Sequence, residues 1–163
     1  MKAVISIVLI LSTSIFCQGV KFFGEDITFR IDKEYFIVDG IYWFFNETDK
    51  PAEKIIYYPF PTDYATGEVD SISIYNISEQ REEIALEISD NGLRYLLLMA
   101  ANDTTIYRIG YRQKVRNGCA KYILTSTSEW NRPLEWAKYK LIADDNAEIN
   151  QFSYEPDRLY EFD

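Results

Sequence analysis

Residues 41–61, IYWFFNETDKPAEKIIYYPFP, constrain the fold more than any other stretch of this chain. The stretch reads as a strand ending at Phe44 and Phe45, a polar turn over residues 46–51, and a second strand closed by the corner Pro59-Phe60-Pro61. Side chains alternate between the two faces of a strand, so apolar and aromatic residues this dense need cover on both faces. We therefore expect the other strands of the chain to pack around this stretch.

Alternating apolar residues and turn signals recur along the rest of the chain. The predicted strands lie at residues 27–31, 35–45, 55–58, 71–74, 84–88, 93–99, 107–115, 119–127, 137–141 and 149–154. The segments Asp90-Asn91-Gly92, Asn117-Gly118 and Asp144-Asp145-Asn146 are typical turns between such strands, and no helix of useful length is indicated. The pattern predicts an all-β chain that folds as an antiparallel β-sandwich of about nine or ten strands in a single domain.

Two details of the strand at residues 35–45 can be predicted. Asp39-Gly40 would be either a bulge or a tight turn, and the bulge is favoured because a turn would split the strand into two very short pieces. Trp43 lies mid-strand among apolar neighbours, so we expect its side chain in the core.

The first 19 residues resemble a processing signal rather than part of the fold. Lys2 supplies a positive charge, and residues 3–16 form an apolar run that is short for a membrane span and matches the hydrophobic region of a signal peptide. Cleavage after Gly19 would leave a β-sandwich domain at residues 20–154 and an acidic tail at 155–163. Lipidation of Cys17 is the alternative, although Phe16 stands where a small residue is expected.

This leader predicts an extracytoplasmic protein that is periplasmic, secreted or associated with the outer membrane, with no transmembrane segment in the mature chain. The formal charge is −9, from 17 basic and 26 acidic residues, so the chain repels phosphate backbones and anionic lipids. We therefore expect no nucleic-acid partner. Without Cys17, only Cys119 remains, so no internal disulfide is expected, and Cys119 is predicted to be a small buried residue.

The composition also limits the chemistry. The chain contains no histidine, which removes histidine-based nucleophile pairs and nearly every transition-metal site. It has no glycine-rich phosphate loop, and nothing singles out a carboxylate pair for glycoside hydrolysis. Asp144, Asp145, Asn146 and Glu148 could surround calcium, but their spacing fits a turn better. We expect a protein that is not an enzyme and holds no cofactor or metal.

Aromatic residues offer a different function. The chain has 13 Tyr, 10 Phe and 3 Trp, and flat aromatic faces can stack on sugars. The candidate ligand-binding residues are Trp130, Trp136, Tyr57, Tyr58 and Tyr64. For Trp130, packing at the end of the sandwich is preferred over binding, because a tryptophan before a turn containing proline commonly fills that position.

Three Asn-x-Ser/Thr motifs begin at Asn46, Asn76 and Asn102. In a eukaryotic secretory route they would accept glycans. The short leader and the scarcity of cysteine suggest a bacterial protein, in which the motifs occur by chance.

Two groups of residues resemble a known family. Phe45-Asn46, Glu53, Tyr58-Pro59-Phe60-Pro61 and residues 69–74 resemble the N-terminal half of VIT-type and related secreted β-sandwich domains. Tyr122-Ile123-Leu124-Thr125, Trp130, Pro133-Leu134, Ala137, Tyr139 and Ser153-Tyr154 are similar to the later strands of uncharacterised exported bacterial proteins of the same build.

The resemblance covers about half of the chain that remains after cleavage. It implies a sandwich fold and a non-catalytic, extracytoplasmic role, and it transfers no site residues. Tyr-Pro-Phe-Pro departs from the usual order of that corner, and no von Willebrand-type domain follows.

The leading functional hypothesis is an exported, non-catalytic β-sandwich with a structural or protein-interaction role, whose partner is a protein or a cell-surface component. The alternative is a carbohydrate-binding module that binds a polysaccharide through its surface aromatic residues.

Overall fold

A computed structural model describes residues 19–32, 34–64, 66–116, 118–124, 130, 132–143 and 149–160. Cys17 with most of the predicted leader, the predicted turn at 144–146, and residues 161–163 of the tail lie outside the described residues. Nine strands occur within the described part. They are β1 Val20–Asp32, β2 Tyr35–Asn46, β3 Ala52–Pro59, β4 Thr66–Asn76, β5 Arg81–Glu82, β6 Glu87–Ser89, β7 Gly92–Met99, β8 Thr104–Val115 and β9 Trp136–Ala143.

The strands form two sheets, which confirms the predicted all-β sandwich. The larger sheet has the order β5-β4-β8-β2-β1-β9, and the smaller sheet has the order β3-β7-β6. Neighbouring strands are antiparallel except for β1 and β9, which pair in parallel. The stretch at residues 41–61 contributes to both sheets, because β2 lies in the larger sheet and β3 in the smaller one. The polar turn between them therefore crosses from one sheet to the other.

The core lies between the sheets and follows the alternation of side chains along each strand. The largest fully buried side chains come from the central strands of both sheets, and the region is rich in tyrosine. They include Val38 on β2, Leu93, Tyr95 and Leu97 on β7, and Tyr107, Ile109 and Tyr111 on β8. The hydroxyl group of Tyr107 has a hydrogen-bond partner in Asn76, whereas the buried hydroxyl of Tyr111 has none among the described residues.

Asp39-Gly40 is not a bulge, contrary to the prediction. β2 pairs without a break with β1 and β8 through these residues, so the strand is continuous. Glycine is needed for another reason: a Cβ atom on Gly40 would lie 2.3 Å from the hydroxyl oxygen of Tyr42. The bulge lies instead in β1, where the register with β2 shifts between Phe22 and Gly24.

Trp43 is not in the core, so that prediction is also wrong. It lies on the outer face of the larger sheet, where its ring packs edge-on against Trp136 with centroids 4.6 Å apart. Gly24 pairs with Trp43 on one side and Trp136 on the other. A Cβ atom on Gly24 would lie 2.3 Å from Cε2 of Trp136, so glycine leaves the space that the two indoles share.

Other predicted strands are shorter or missing. Within 119–124 and 149–154 the chain forms no strand, and of 84–88 only the last two residues belong to β6. Tyr122 instead packs its ring against Phe29, with centroids 5.0 Å apart, so tertiary contacts replace strand pairing there. Cys119 is half-buried, less than predicted, and is a free thiol. Residues 155–160 of the tail are exposed and contain no strand.

Two of the three Asn-x-Ser/Thr asparagines are fully buried. Asn46 ends β2, and its Nδ2 donates hydrogen bonds to the carbonyl oxygens of Lys50 and Ala100, at 2.7 and 2.8 Å. Asn76 ends β4, and its Nδ2 donates to the hydroxyl oxygen of Tyr107 at 3.2 Å. Asn46 thus joins two segments that cross between the sheets, and Asn76 bonds to the neighbouring strand β8 of its own sheet. In the folded protein neither buried amide is accessible as a glycan acceptor.

Candidate functional site

A small cleft lies between the sheets where β3 faces β1 and β2. Its volume is about 100 Å³. Aromatic rings form most of its walls, and polar groups from four parts of the chain converge in it. Its lining side chains include Phe22, Glu25, Tyr42, Phe44, Lys54, Tyr58, Tyr122 and Trp130. Its composition, mostly aromatic with a few polar groups, is one that small-molecule binding sites share.

Glu25 enters the cleft because of the bulge in β1. Phe22 pairs with Phe44, and after the extra residue Glu25 pairs with Tyr42, so Phe22 and Glu25 both face inward although they are three residues apart. Glu25 is only 3% exposed. Its carboxylate accepts a hydrogen bond from the hydroxyl group of Tyr139 on β9.

Burial raises the pKa of the Glu25 carboxyl above its ordinary value, and the hydrogen bond from Tyr139 opposes this effect. The ionised form is therefore costly in the folded protein. Among the described residues that line the cleft, Glu25 supplies the single carboxyl group.

Replacing Glu25 with glutamine should stabilise the ligand-free protein at pH 7. Because the carboxyl pKa is higher in the folded state than its ordinary value of 4.5, the native protein loses stability as the pH rises through that value and the folded-state pKa. Thermal unfolding should show a higher Tm for Glu25→Gln at pH 7 and a difference that disappears below pH 4.5. The neighbouring Asp26→Asn, on the opposite face, is the control. A Glu25→Gln protein that is less stable at pH 7 would contradict this account.

Three tyrosine hydroxyl groups meet beside Glu25. The hydroxyl oxygen of Tyr42 lies 2.8 Å from that of Tyr58 and 3.1 Å from that of Tyr122. Since Tyr42 is on β2 and Tyr58 on β3, their hydrogen bond joins the two sheets. Burial raises the pKa of Tyr42 and Tyr58 well above the ordinary value and that of Tyr122 to about 12. All three stay protonated at neutral pH and can both donate and accept hydrogen bonds.

Trp130 and Lys54 form the remaining wall. The ring centroid of Trp130 lies 5.8 Å from that of Phe22 and 5.6 Å from that of Phe44. The ammonium nitrogen of Lys54, an inward-facing residue of β3, lies 3.7 Å from the Trp130 ring centroid. This is a close cation–π contact. Trp130 thus packs on the core, as expected, and its ring also lines the cleft.

The structure separates the five aromatic candidates. Trp130 and Tyr58 share the cleft, but Tyr58 is buried rather than exposed, because it is an inward-facing residue of β3. Tyr57 borders the cleft, and its hydroxyl donates to the carbonyl oxygen of Asn91. Trp136 lies on the opposite face of the larger sheet. Tyr64 is 86% exposed and stands apart, near Lys121.

Sequence reasoning missed Glu25 and Lys54. One signal was present for Glu25: the alternation of Ile27, Phe29 and Ile31, continued backward by one step, places Glu25 on the apolar face of β1. Lys54 gave no comparable signal, because a lysine next to a polar turn is usually solvated. Its position depends on the contact with Trp130, which is 76 residues away in the chain.

The cleft offers hydrogen bonds, aromatic faces, one ammonium group and one carboxyl group. Within the described residues, no group of three or more His, Cys, Asp or Glu side chains is placed to hold a metal ion. In the same residues, no helix is both long and apolar enough to cross a membrane.

Comparisons with known proteins support the fold. No family model matches the chain, and no curated protein matches it. Among solved structures, a candidate nutrient-binding protein from Legionella pneumophila is similar, with a TM-score of 0.54 and 13% identity over 70% of this chain. An M1 zinc metallopeptidase from Deinococcus radiodurans matches at a TM-score of 0.38 and 10% identity, over 60% of this chain and 21% of its own.

This chain covers 47% of the Legionella protein, so it spans about half of that protein's length. At such low identity the likeness shows a shared fold. The likeness to the metallopeptidase is too low to bear on this chain. The resemblance to VIT-type domains stays a prediction.

Proposed function

We propose that this chain is a non-catalytic, extracytoplasmic β-sandwich domain that binds a small polar molecule in the cleft between its sheets. The observation that carries the proposal is the convergence of the Tyr42, Tyr58 and Tyr122 hydroxyl groups with Glu25 and Lys54 inside an aromatic wall. Polar groups are costly to place in a core, and a functional ligand is one reason to keep them there. The signal-like leader supports export.

The size of the cleft favours a small solute over a long chain. A cleft of about 100 Å³ corresponds to about three water molecules at their share of liquid volume. Pockets for drug-sized ligands are several times larger, about 300–1,000 Å³. An extended polysaccharide would also need an open row of aromatic faces. Here Lys54 covers the face of Trp130, and Trp136 is on the far side of the sheet.

The likeness to a candidate nutrient-binding protein agrees with this proposal. That protein is twice as long as the matched region, so its ligand is not transferred. The proposal rests on the residues of this chain.

Tryptophan fluorescence tests the proposal directly. The native protein should be titrated with sugars, polyols, organic acids, amines and amino acids, because Trp130 lines the cleft and should report on a solute that enters it. We expect a saturable change with at least one of these classes. The matched variants are Trp130→Phe, which should lose the signal, and Trp136→Phe, which should keep it.

Two outcomes would contradict the proposal. If the signal disappears in Trp136→Phe and persists in Trp130→Phe, the ligand binds to the outer face instead. If no small solute changes the spectrum, the cleft only contributes to packing.

A role in protein interaction is the second candidate, and a separate surface favours it. Ile84, Leu86 and Ile88 are 88%, 58% and 60% exposed, at and just before the edge strand β6. An apolar edge of this kind is a common site of protein contact. If the fluorescence titration shows no response, this surface becomes the leading candidate.

A further inference from the structure

We propose that the ligand of the cleft is a small zwitterion, a molecule with one ammonium and one carboxylate group, such as an α-amino acid. This inference rests on the proposed function and names the class of ligand for the same site. It depends on two opposite charges that line one small cleft without pairing with each other.

Glu25 and Lys54 both line the cleft. None of the ion pairs among the described residues includes either of them. Elsewhere the charged side chains pair readily, as Arg108 does with Asp39 and Arg112 with Asp70. Other charged side chains without an ion pair, such as Arg30, Glu53 and Glu68, are exposed to solvent, whereas Glu25 is the one buried charged side chain among the described residues.

Glu25 is suited to an ammonium group. Its carboxylate is buried, held by the hydroxyl of Tyr139, and lies among the rings of the cleft. A buried carboxylate is costly unless it is paired, and an ammonium group would remove that cost. Aromatic faces next to it add a favourable cation–π contact.

Lys54 is suited to a carboxylate group. Its ammonium nitrogen lies over the face of Trp130, and none of the ion pairs among the described residues includes it. The hydrogen bonds among Tyr42, Tyr58 and Tyr122 use two of their three hydroxyl protons, so at most one of these groups can also donate to an anion. A ligand carboxylate near Lys54 would make a charge-assisted hydrogen bond, the stronger kind.

Other ligand classes fit the charges less well. A simple cation would meet the like charge of Lys54, and a simple anion would meet the like charge of Glu25. A neutral molecule would leave both charges unpaired. A zwitterion pairs both at once, and its size matches the volume of about 100 Å³.

Calorimetric titration with four probes of similar size tests this inference: alanine, ethylamine, propionate and glycerol. We expect alanine to bind the native protein at least tenfold more tightly than each of the other three. Glu25→Gln should weaken the binding of alanine at least tenfold without weakening the binding of propionate. Lys54→Met should weaken the binding of alanine at least tenfold without weakening the binding of ethylamine.

Asp26→Asn and Lys138→Met are the matched controls, because Asp26 and Lys138 form an ion pair on the opposite face of the sheet. Both should bind alanine as the native protein does. Thermal unfolding of each variant shows whether it is folded.

If ethylamine, propionate or glycerol binds as tightly as alanine, the zwitterion is the wrong class, while the proposed binding function stands. If alanine affinity is unchanged in folded Glu25→Gln and Lys54→Met, these two charges do not hold the ligand and the inference fails, while the Trp130→Phe and Trp136→Phe fluorescence comparison decides separately whether the cleft is the binding site. If none of the four probes binds and the wider fluorescence panel also gives no response, both proposals fail.

Discussion

An Asn46→Ala variant is expected to lose about 3–5 kcal/mol of the free energy of unfolding, because four partly buried hydrogen bonds depend on this fully buried side chain. The Nδ2 group of Asn46 donates to the carbonyl oxygens of Lys50 and Ala100, and Oδ1 accepts hydrogen bonds from the backbone and hydroxyl groups of Thr48. Alanine removes these four hydrogen bonds, although the carbonyl oxygen of Lys50 still accepts one from the hydroxyl group of Thr48. Each buried polar group that loses its partner costs about 1–3 kcal/mol.

The position of Asn46 explains why the loss should be large. The turn after β2 crosses from the larger sheet to the smaller, and the turn between β7 and β8 crosses back. Asn46 connects these two crossings through Lys50 and Ala100. Backbone hydrogen bonds from Asn46 to Asp103 and from Asn102 to Thr48 complete the contact.

Urea denaturation of the native and variant proteins measures the change. Asn150→Ala is the control, because Asn150 is exposed and lies outside the strands, and its loss should be within about 0.5 kcal/mol. A loss below about 1 kcal/mol for Asn46→Ala would be less than the cost of one unsatisfied buried group. It would show that water replaces the amide and that the two crossings do not depend on it.

A Tyr107→Ala variant is expected to lose about 3–5 kcal/mol, the range for truncation of a large buried aromatic residue. Tyr107 is fully buried in the centre of β8. Its ring packs against Tyr95 of the smaller sheet, with centroids 5.3 Å apart, and edge-on against Phe44 of β2. Removing it leaves a cavity between the sheets that the surrounding side chains can fill only in part.

A Tyr107→Phe variant separates the ring from the hydroxyl group. Phenylalanine keeps the ring but leaves the buried Nδ2 of Asn76 without its acceptor, so we expect a loss of about 1–2 kcal/mol. Tyr154→Ala is the control in the same denaturation experiment, since Tyr154 is 76% exposed. Equal losses in Tyr107→Ala and Tyr107→Phe would mean that the hydroxyl group, not the ring, makes the whole contribution.

Prediction from the sequence worked best where the pattern was local. The strands β2, β7, β8 and β9 and the turn before Gly92 followed from alternating side chains and from turn residues, because these depend on neighbours in the chain. It worked less well where contacts with residues distant in the chain determine the local structure. Residues 119–124 have the composition of a strand, but Tyr122 packs on Phe29 and bonds to Tyr42 instead.

The candidate site shows the same division. Trp130 was identified from its residue type, and its packing against the core was expected. Lys54 approaches Trp130 from β3 of the smaller sheet. It was not identified, because no local pattern links residues 54 and 130. Trp136 was grouped with Trp130 because of their closeness in sequence, but the two lie on opposite faces of the larger sheet.

The sequence by itself determined that the chain is all-β, that it lacks histidine chemistry and that its interior is aromatic, because composition and alternation are properties of the chain alone. Only the tertiary structure decided which face of each strand is covered. A one-residue bulge in β1 places Glu25 inside, and the crossing between β2 and β3 brings Lys54 and Tyr58 opposite it. A shift of one residue exchanges the two faces of a strand, so the site depends on registers and contacts that no local pattern specifies.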